Sequence, residues 1–542
     1  MAHIEINKNE FEQLIGTGIE DQKLEQEASY LGVHWNHVEG AKWDVEVYPN
    51  RPDLLSVEGL ARAYSRYFGI EEGLQEYDVS KGGLSLEVDE SVKDVRPVIG
   101  AAVVRNLELD KRAINGLIQL QEKIHETLGR RRDKLAIGLH DLSEIQGPFT
   151  YKAVEPEKVS FTPLEYDRDM DLGQIVDEHE KGQEYAWILD DEEKYPVIED
   201  SNGQVLSFPP IINNQLTEVD HKTTDIFIDV TGKDEETVKK ALNILSTALA
   251  DRGGELENVE IGEERLPKLE PEKRELDVEY LNSVSGLDIS GKEAAELLES
   301  MGYGAKASKK KVNVKVPCYR TDIMHSYDLI EDIVIAYRYN NIEPEIPEVD
   351  QIGSENHLEE FSKVVREALI GSGALETHTF TLSSKMKLFD NMELDERLHA
   401  SMANALTEDY EVVRNWMTPS LFEILRENRH HSYPQTFFEV GEVVEMPEAE
   451  NKKKVCYLKA GDVDYTEARK ALQVLENALG LEFVLEQEHY EYGKSKRSAK
   501  ISIDGDEIGY ICEFKDEVGD NWGLDVNVSG FELDLEKLEE FY

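Results

Sequence analysis

A chain of 542 residues, 40% of them hydrophobic, is long enough for several cores and too apolar to stay disordered. Its 113 acidic residues against 59 basic ones give a formal charge of −54, which excludes bulk electrostatic attraction to nucleic acid. So much like charge repels itself unless salt screens it, and at about 1 M salt the Debye length falls to roughly 3 Å. The acids are dispersed rather than gathered in a tail, so the composition points to a saline cytoplasm. Cys318, Cys456 and Cys512 are odd in number, far apart and without zinc-site spacing, as expected in a reducing compartment. The opening MAHIEINKNEFEQL has no apolar signal core and no run approaches membrane-spanning length, so a cytoplasmic protein with no membrane partner is expected.

Residues 1–78 read as a small α+β domain. The strand Trp43–Tyr48 runs into the rigid turn Pro49-Asn50-Arg51-Pro52-Asp53, where Asp53 is placed to cap a helix bearing Leu54, Val57, Leu60, Ala61, Tyr64 and Phe68. Residues 79–268 read as a larger α/β mixture. A helix over Arg112–Leu128 leads through GRRRDK to a strand Leu135–Leu139 and then His140-Asp141. Strands over Tyr195–Ile198 and Val205–Phe208 flank the hairpin signal Ser201-Asn202-Gly203. Asn213-Asn214, a strand Asp225–Val230 closed by Thr231-Gly232, and a helix Glu235–Ala250 complete this segment.

Ser207, Asn213, Asp229 and Thr231 stand at or just past strand ends, where fixed backbone presents side chains to a small ligand. Turn and cap chemistry accounts for the same residues equally well. His140 and Asp141 resemble a base with its orienter, but neighbours on a strand point to opposite faces, which disfavours that pairing. The basic runs Arg130–Arg132, Lys309–Lys311, Lys452–Lys454 and Lys494–Arg497 are short, and a solvated loop explains each better than an RNA contact.

In residues 269–348, Val312, Val314 and Val316 alternate as a strand ended by Pro317, and a helix follows with Leu329, Ile330, Ile333 and Val334 on its buried side. Asp328, Glu331 and Asp332 share one face of that helix, and Asp322 lies in the turn before it. Four such carboxylates could hold a hard cation such as Mg2+, although acids at a helix start also simply favour the positive end of its dipole. Residues 349–542 alternate amphipathic helices with strands, among them Glu376–Leu382 and Phe437–Met446, and Asp504-Gly505 marks a hairpin. An antiparallel sheet with covering helices is expected, and there is no P-loop, GxGxxG or nucleophile elbow.

Several long motifs stand in one order: VYPNRPDLLSVEGLARAY (Val47–Tyr64), AIGLHDL (Ala136–Leu142), VLSFPPIINN with DVTG (Val205–Asn214, Asp229–Gly232), VPCYRTDIMHSYDLIEDI (Val316–Ile333) and FFEVGEVV (Phe437–Val444). Over nearly its whole length the chain resembles the phenylalanyl-tRNA synthetase β-subunit family in its shorter archaeal and eukaryotic form, and its charge points to a halophilic archaeal source. The resemblance implies an α+β multidomain fold. Its parts would be the small N-terminal α+β unit, an α/β editing domain of B3/B4 type, a winged-helix-like B5-type unit, and a class II synthetase-like antiparallel sheet with helices. It implies a cytoplasmic α2β2 ligase that joins phenylalanine to tRNA(Phe) with ATP and Mg2+. An α subunit would carry aminoacylation and this chain would hydrolyse mischarged tyrosyl-tRNA; no DNA partner is implied. The editing pocket would take Ser207, Asn213, Asp229 and Thr231, and the metal Asp322, Asp328, Glu331 and Asp332.

Editing has a physical reason. A pocket shaped for phenylalanine rejects a side chain that merely adds a hydroxyl by only about 10²-fold, whereas a second site that bonds the hydroxyl discriminates far more sharply. The last segment departs from a working class II site. Arg426 and Arg429 precede Phe437-Phe438-Glu439, but no arginine adjoins it, and no GxER-like motif follows to bind ATP phosphates. Residues 349–542 are therefore expected to be scaffold, with no aminoacylation residues in this chain. The alternative for the whole chain is a purely structural, tRNA-positioning subunit with an inactive editing pocket.

Overall fold

In the first strand, Ala2–Asn7, Ile4 and Ile6 alternate with polar residues, and it pairs antiparallel with Lys42–Val47, which also pairs with Val33–Glu39. The computed structural model describes residues 2–542, apart from the side chains of Ala28 and of residues 37–39. Helix α1, Val57–Tyr67, starts at Ser56, whose Oγ accepts from the Gly59 amide at 3.1 Å. Asp53, expected as that cap, is instead buried in a two-bond pair with Arg51, Nε to Oδ1 and Nη2 to Oδ2 both at 2.8 Å. A short 3-10 turn over Pro52–Leu54 separates the two, so the capping role passes to the serine three residues on.

The chain divides into two compact units, one ending at Glu345 and the other spanning Ile346–Tyr542. The segments expected at 1–78, 79–268 and 269–348 lie almost entirely within the first. One continuous apolar cluster explains why the first two are not separate bodies: it joins Phe11, Trp43 and Leu60 to Leu120, Ile228 and Leu245.

The sheet that positions the site has eleven strands. Its relevant elements are β1 (Val98–Arg105), helix α2 (Lys111–Glu126), β2 (Leu135–Asp141), β3 (Val205–Phe208), β4 (Ile212–Asn213), β5 (Ile226–Gly232) and helix α3 (Glu235–Asp251). β5 lies between β1 and β2 and is antiparallel to both, while β2 and β4 end the strand path on opposite sides. Ile226, Ile228 and Val230 join the core beneath α3, whereas Phe227 faces the other way and packs on Phe149 with ring centroids 4.4 Å apart. A period of two then places Asp229 and Thr231 on the Phe227 face. The strand runs two residues further than Val230, so Thr231 sits within it rather than closing it.

Further along the first unit, Glu272–Asp277, Lys311–Val316 and Gly304–Ser308 form a three-stranded sheet with Lys311–Val316 central. Helix α4, Ser326–Tyr337, closes it with Leu329, Ile330 and Ile333 buried.

The second unit is built on a seven-stranded sheet, antiparallel except where Leu375–Glu376 pairs parallel with Gln435–Glu445. Helices His357–Gly371 and Tyr465–Leu479 pack with Phe438, Val455 and Phe531, and a second core gathers Leu421, Phe422 and Trp522. The strand expected over Glu376–Leu382 is only Leu375–Glu376 and Leu382–Ser383. The ladder stops after the Thr377 amide bonds the Phe438 carbonyl, and the Thr379 hydroxyl turns to the buried Glu439 carboxylate at 2.6 Å. Among the described residues no helix is long and apolar enough to cross a membrane.

Candidate functional site

A cavity of about 410 Å³ opens where the two ends of the eleven-stranded sheet approach each other. Ser207 on β3, Asn213 on β4, and Asp229 and Thr231 on β5 all line it, with Ile137, Gly138, Arg132 and Phe208. The Asn213 amide ties the sheet ends together by donating to the Leu139 carbonyl of β2 at 3.2 Å. The four expected pocket residues therefore share one wall system, although they come from strands far apart in the sheet order.

Each polar group has a defined state. Asp229 Oδ2 lies 2.8 Å from His140 Nε2, and His140 Nδ1 lies 2.8 Å from Thr217 Oγ1. His140 is fully buried and Asp229 is 1% exposed. The register explains the contact: Gly138 stands opposite Asp229, and His140, two residues on, shares its face. Only glycine fits at 138, because a Cβ there would fall 2.0 Å from Asp229 Oδ2. Asp141, the sequence neighbour of His140, points elsewhere and bonds Thr223 and the Ser143 amide. The Thr231 hydroxyl accepts from Arg96 Nε at 3.0 Å. The Ser207 hydroxyl is buried and has no protein partner.

Two buried arginines, neither anticipated as a site residue, shape the walls. Arg96 donates to the carbonyls of Asp133, Arg132 and Thr231 at 3.0–3.1 Å, and burial pushes its pKa down to about 10. Arg132 donates to the Ile211 carbonyl at 2.8 Å and to Glu122 Oε1 at 2.8 Å, and it covers the Tyr185 ring at 4.4 Å. Burial would raise Glu122, but the hydrogen bond with His125 and the charge of Arg132 hold it at about 2. His125 is pushed down, first by burial, and its Nε2 accepts the Ile137 amide of β2 at 2.8 Å. A sequence signal for Gly138 and His140 existed in their two-residue spacing; Arg96 is 135 residues from Thr231 and had none.

The acidic cluster before and on α4 is organised by an arginine. Arg320 donates to both oxygens of Asp322 at 2.9 and 2.7 Å and lies 2.8 Å from Asp332. Asp332 also accepts from the buried Tyr303 hydroxyl. Asp328 caps the helix by accepting from the Met324 and His325 amides at 2.7 and 2.6 Å. Burial, with Asp332, Asp328 and Asp322 nearby, pushes the Glu331 carboxyl up. Among the described residues no three histidine, cysteine or carboxylate side chains gather as a metal site. The four carboxylates fit a cation by charge, but not as one ligand set. The arginine in the same turn fills the space between two of them, which counting acids along the sequence overlooked.

Comparison with known proteins agrees with this layout. The sequence model described as phenylalanyl tRNA synthetase beta chain CLM domain matches residues 342–535. That of the tRNA synthetase B5 domain matches 274–339, and that of the B3/4 domain 86–269. The phenylalanine–tRNA ligase beta subunit of Archaeoglobus fulgidus is 39% identical over 97% of this chain and 97% of its own length. That of Pyrococcus horikoshii is 38% identical over 99% of this chain and its full length, and that of Methanosarcina acetivorans 39% over 99% of each. The crystal structure of an N-terminal fragment of the P. horikoshii subunit superposes with a TM-score of 0.60 at 40% identity, covering 62% of this chain and 99% of the fragment. With full-length relatives well above 30% identity and three domain models matching in turn along the chain, the chain belongs to the phenylalanine–tRNA ligase β-subunit family.

Proposed function

We propose that this chain is the β half of a cytoplasmic α2β2 enzyme that charges tRNA(Phe) with phenylalanine, and that its B3/4 cavity hydrolyses tyrosine wrongly esterified to that tRNA. An α subunit supplies the aminoacylation site, with ATP and Mg2+ as its substrate and cofactor. The observation that carries the editing reading is that Ser207, Asn213, Asp229 and Thr231 converge on one cavity of about 410 Å³, and that of their side chains the buried Ser207 hydroxyl alone has no protein partner. A buried unpaired hydroxyl is costly, and a ligand that bonds it recovers that cost, which is the chemistry needed to favour tyrosine over phenylalanine.

His140 has both ring nitrogens engaged, so it orients Asp229 rather than serving as a free base. Asp229 and Thr231 hold the ester and place a water beside its carbonyl. Water then adds to that carbon, the ester C–O bond breaks, and tyrosine and the tRNA 3′-terminal hydroxyl leave with the water's two protons divided between them.

The test uses the assembled αβ enzyme and tyrosyl-tRNA(Phe). The wild type clears the ester, and Asp229→Ala slows clearance by about 10²-fold or more while phenylalanine charging persists. Equal, slow clearance by both proteins establishes the alternative, a structural subunit with an inactive pocket. The same reading gives the acidic cluster of Asp322, Asp328, Glu331 and Asp332 a role in assembly with the α subunit, supported by its excess negative charge over Arg320. Asp328→Ala with Glu331→Ala then weakens the tetramer on sedimentation without unfolding this chain; an unchanged tetramer removes that role.

A further inference from the structure

Beside the cavity, three consecutive arginines adopt left-handed backbone: φ is +49° at Arg130, +55° at Arg131 and +67° at Arg132. L-residues avoid this region, and such a run persists only where its surroundings enforce it. Here they do. The Arg132 amide bonds the His125 carbonyl and the Lys134 amide the Gly129 carbonyl, while Arg96 grips the carbonyls of Arg132 and Asp133. Arg132 itself is buried and lines the cavity. Arg130 and Arg131 are exposed, and their side chains have no ion pair or hydrogen bond among the described residues.

Several surface lysines, Lys81 and Lys93 among them, are left the same way, but most arginines of this chain find a side-chain or carbonyl partner. With 113 acidic residues against 59 basic ones, a surface cation has carboxylates on offer almost everywhere. The cavity lining includes Glu165 and Glu218 as well. A fixed loop that leaves two guanidinium groups without an ion pair, one and two residues from a cavity-lining arginine, keeps them available for another anion. At the salt this composition implies, long-range attraction is screened, so such a contact works only by direct, two-pronged bonding, which guanidinium offers phosphate and ammonium does not.

We propose that Arg130 and Arg131 form a phosphate-binding shelf at the cavity mouth, and that they hold the backbone of the terminal nucleotides of an RNA whose esterified 3′ end enters the cavity. The proposal rests on the editing reading for what enters the cavity, but the shelf is tested separately. Arg96 links the two physically, because it bonds the Arg132 and Asp133 carbonyls immediately after the shelf as well as the Thr231 hydroxyl.

The experiment compares the assembled αβ enzyme with its Arg130→Gln/Arg131→Gln and Arg130→Lys/Arg131→Lys variants on two tyrosine esters: tyrosyl-tRNA(Phe) and 3′-O-tyrosyl-adenosine, which has no phosphate. The glutamine pair raises KM for the tRNA ester by about tenfold, with kcat within about twofold, and leaves the adenosine ester untouched. The lysine pair restores part of the loss, because it returns charge without the fork. Equal losses on both esters mean that the loop only props the cavity wall, and no loss on either means that the arginines touch no phosphate; both outcomes overturn the shelf. If the wild type cleaves neither ester, the editing reading fails instead. The shelf is then judged by tRNA binding at graded KCl, where the glutamine pair lowers the salt slope by about two if the shelf exists and leaves it unchanged if it does not.

Discussion

The Arg414 network of the second unit and the cavity wall of the first bury charge in opposite ways. In the second, Arg414 and Glu439 are 1% and 0% exposed and close on each other: Nη2 to Oε1 at 2.9 Å, with the Thr379 hydroxyl bridging both at 2.6 and 2.7 Å. Glu532 is similarly occupied, accepting from the Met417 and Thr418 amides and the Thr418 hydroxyl at 2.9–3.0 Å. In the first unit, Arg96 has no carboxylate partner and Arg132 has one. Both spend donors on main-chain carbonyls around a cavity, and a serine hydroxyl is left with nothing. The difference separates two uses of buried polarity. Charges that satisfy one another within a core fix its packing, whereas charges that hold loop backbone leave bonding capacity for a ligand.

The largest effect should come from opening the closed network. Glu439→Ala leaves Arg414 buried without a carboxylate and is expected to cost the second unit about 3–5 kcal/mol in urea unfolding. Replacing both residues, Arg414→Met with Glu439→Leu, should recover most of that loss. A double variant as unstable as the single would mean that the network does more than satisfy itself.

The first unit responds differently. Gly138→Ala forces a Cβ to within 2.0 Å of Asp229 Oδ2 and 2.7 Å of His140 Nε2, so it should cost about 2 kcal/mol and abolish clearance of tyrosyl-tRNA while charging stays within about twofold. Ser207→Ala should decouple the two readouts. It deletes a hydroxyl that has no partner, so unfolding changes by less than about 1 kcal/mol, or in the stabilising direction, while clearance of the tyrosine ester falls. A destabilised Ser207→Ala would mean that the hydroxyl is bonded after all and would close the gap between the two units.

Much of this was legible in the sequence because it is local. Alternation marked the strands Lys42–Val47 and Lys311–Val316, the 3.6-residue period marked α2, α3 and α4, and Asp504-Gly505 marked a hairpin that forms between Gly493–Ile503 and Asp506–Phe514. Errors came where distant contacts compete with local rules. Asp53 is a good helix cap in isolation, yet Arg51 takes both its oxygens. The absence of an arginine beside Phe437-Phe438-Glu439 was plain, but the arginine that reaches Glu439 is Arg414, 25 residues away, while Arg426 pairs with Glu423. The four pocket residues were placed by resemblance; that His140 joins Asp229 rather than Asp141 depends on strand register, which no single strand records.

The smallest effect tests whether the cavity wall is held as tightly as the closed network. His125 is 2% exposed, and burial keeps its folded-state pKa below the usual value near 6.5. As pH falls past about 6.5 the unfolded chain takes up a proton that the folded chain refuses, so His125 contributes stability above that pH and loses it below, by at most about 1.4 kcal/mol per pH unit. Glu122 acts in a separate window: held at about 2 when folded, it contributes above roughly 4.5 and is lost between there and 2. Urea midpoints at pH 7.5 and 5.5 isolate the histidine, and His125→Gln, which keeps an acceptor for the Ile137 amide, should flatten the difference that the wild type shows. Protonating His125 also removes that acceptor, so exchange of the Ile137 amide should quicken between pH 7.5 and 5.5 beyond its intrinsic trend, while amides flanking Arg414 keep theirs. Equal protection at both sites would mean that the outer edge of β2 is anchored by the Gln121 bond to the Ile137 carbonyl at 2.9 Å rather than by the histidine.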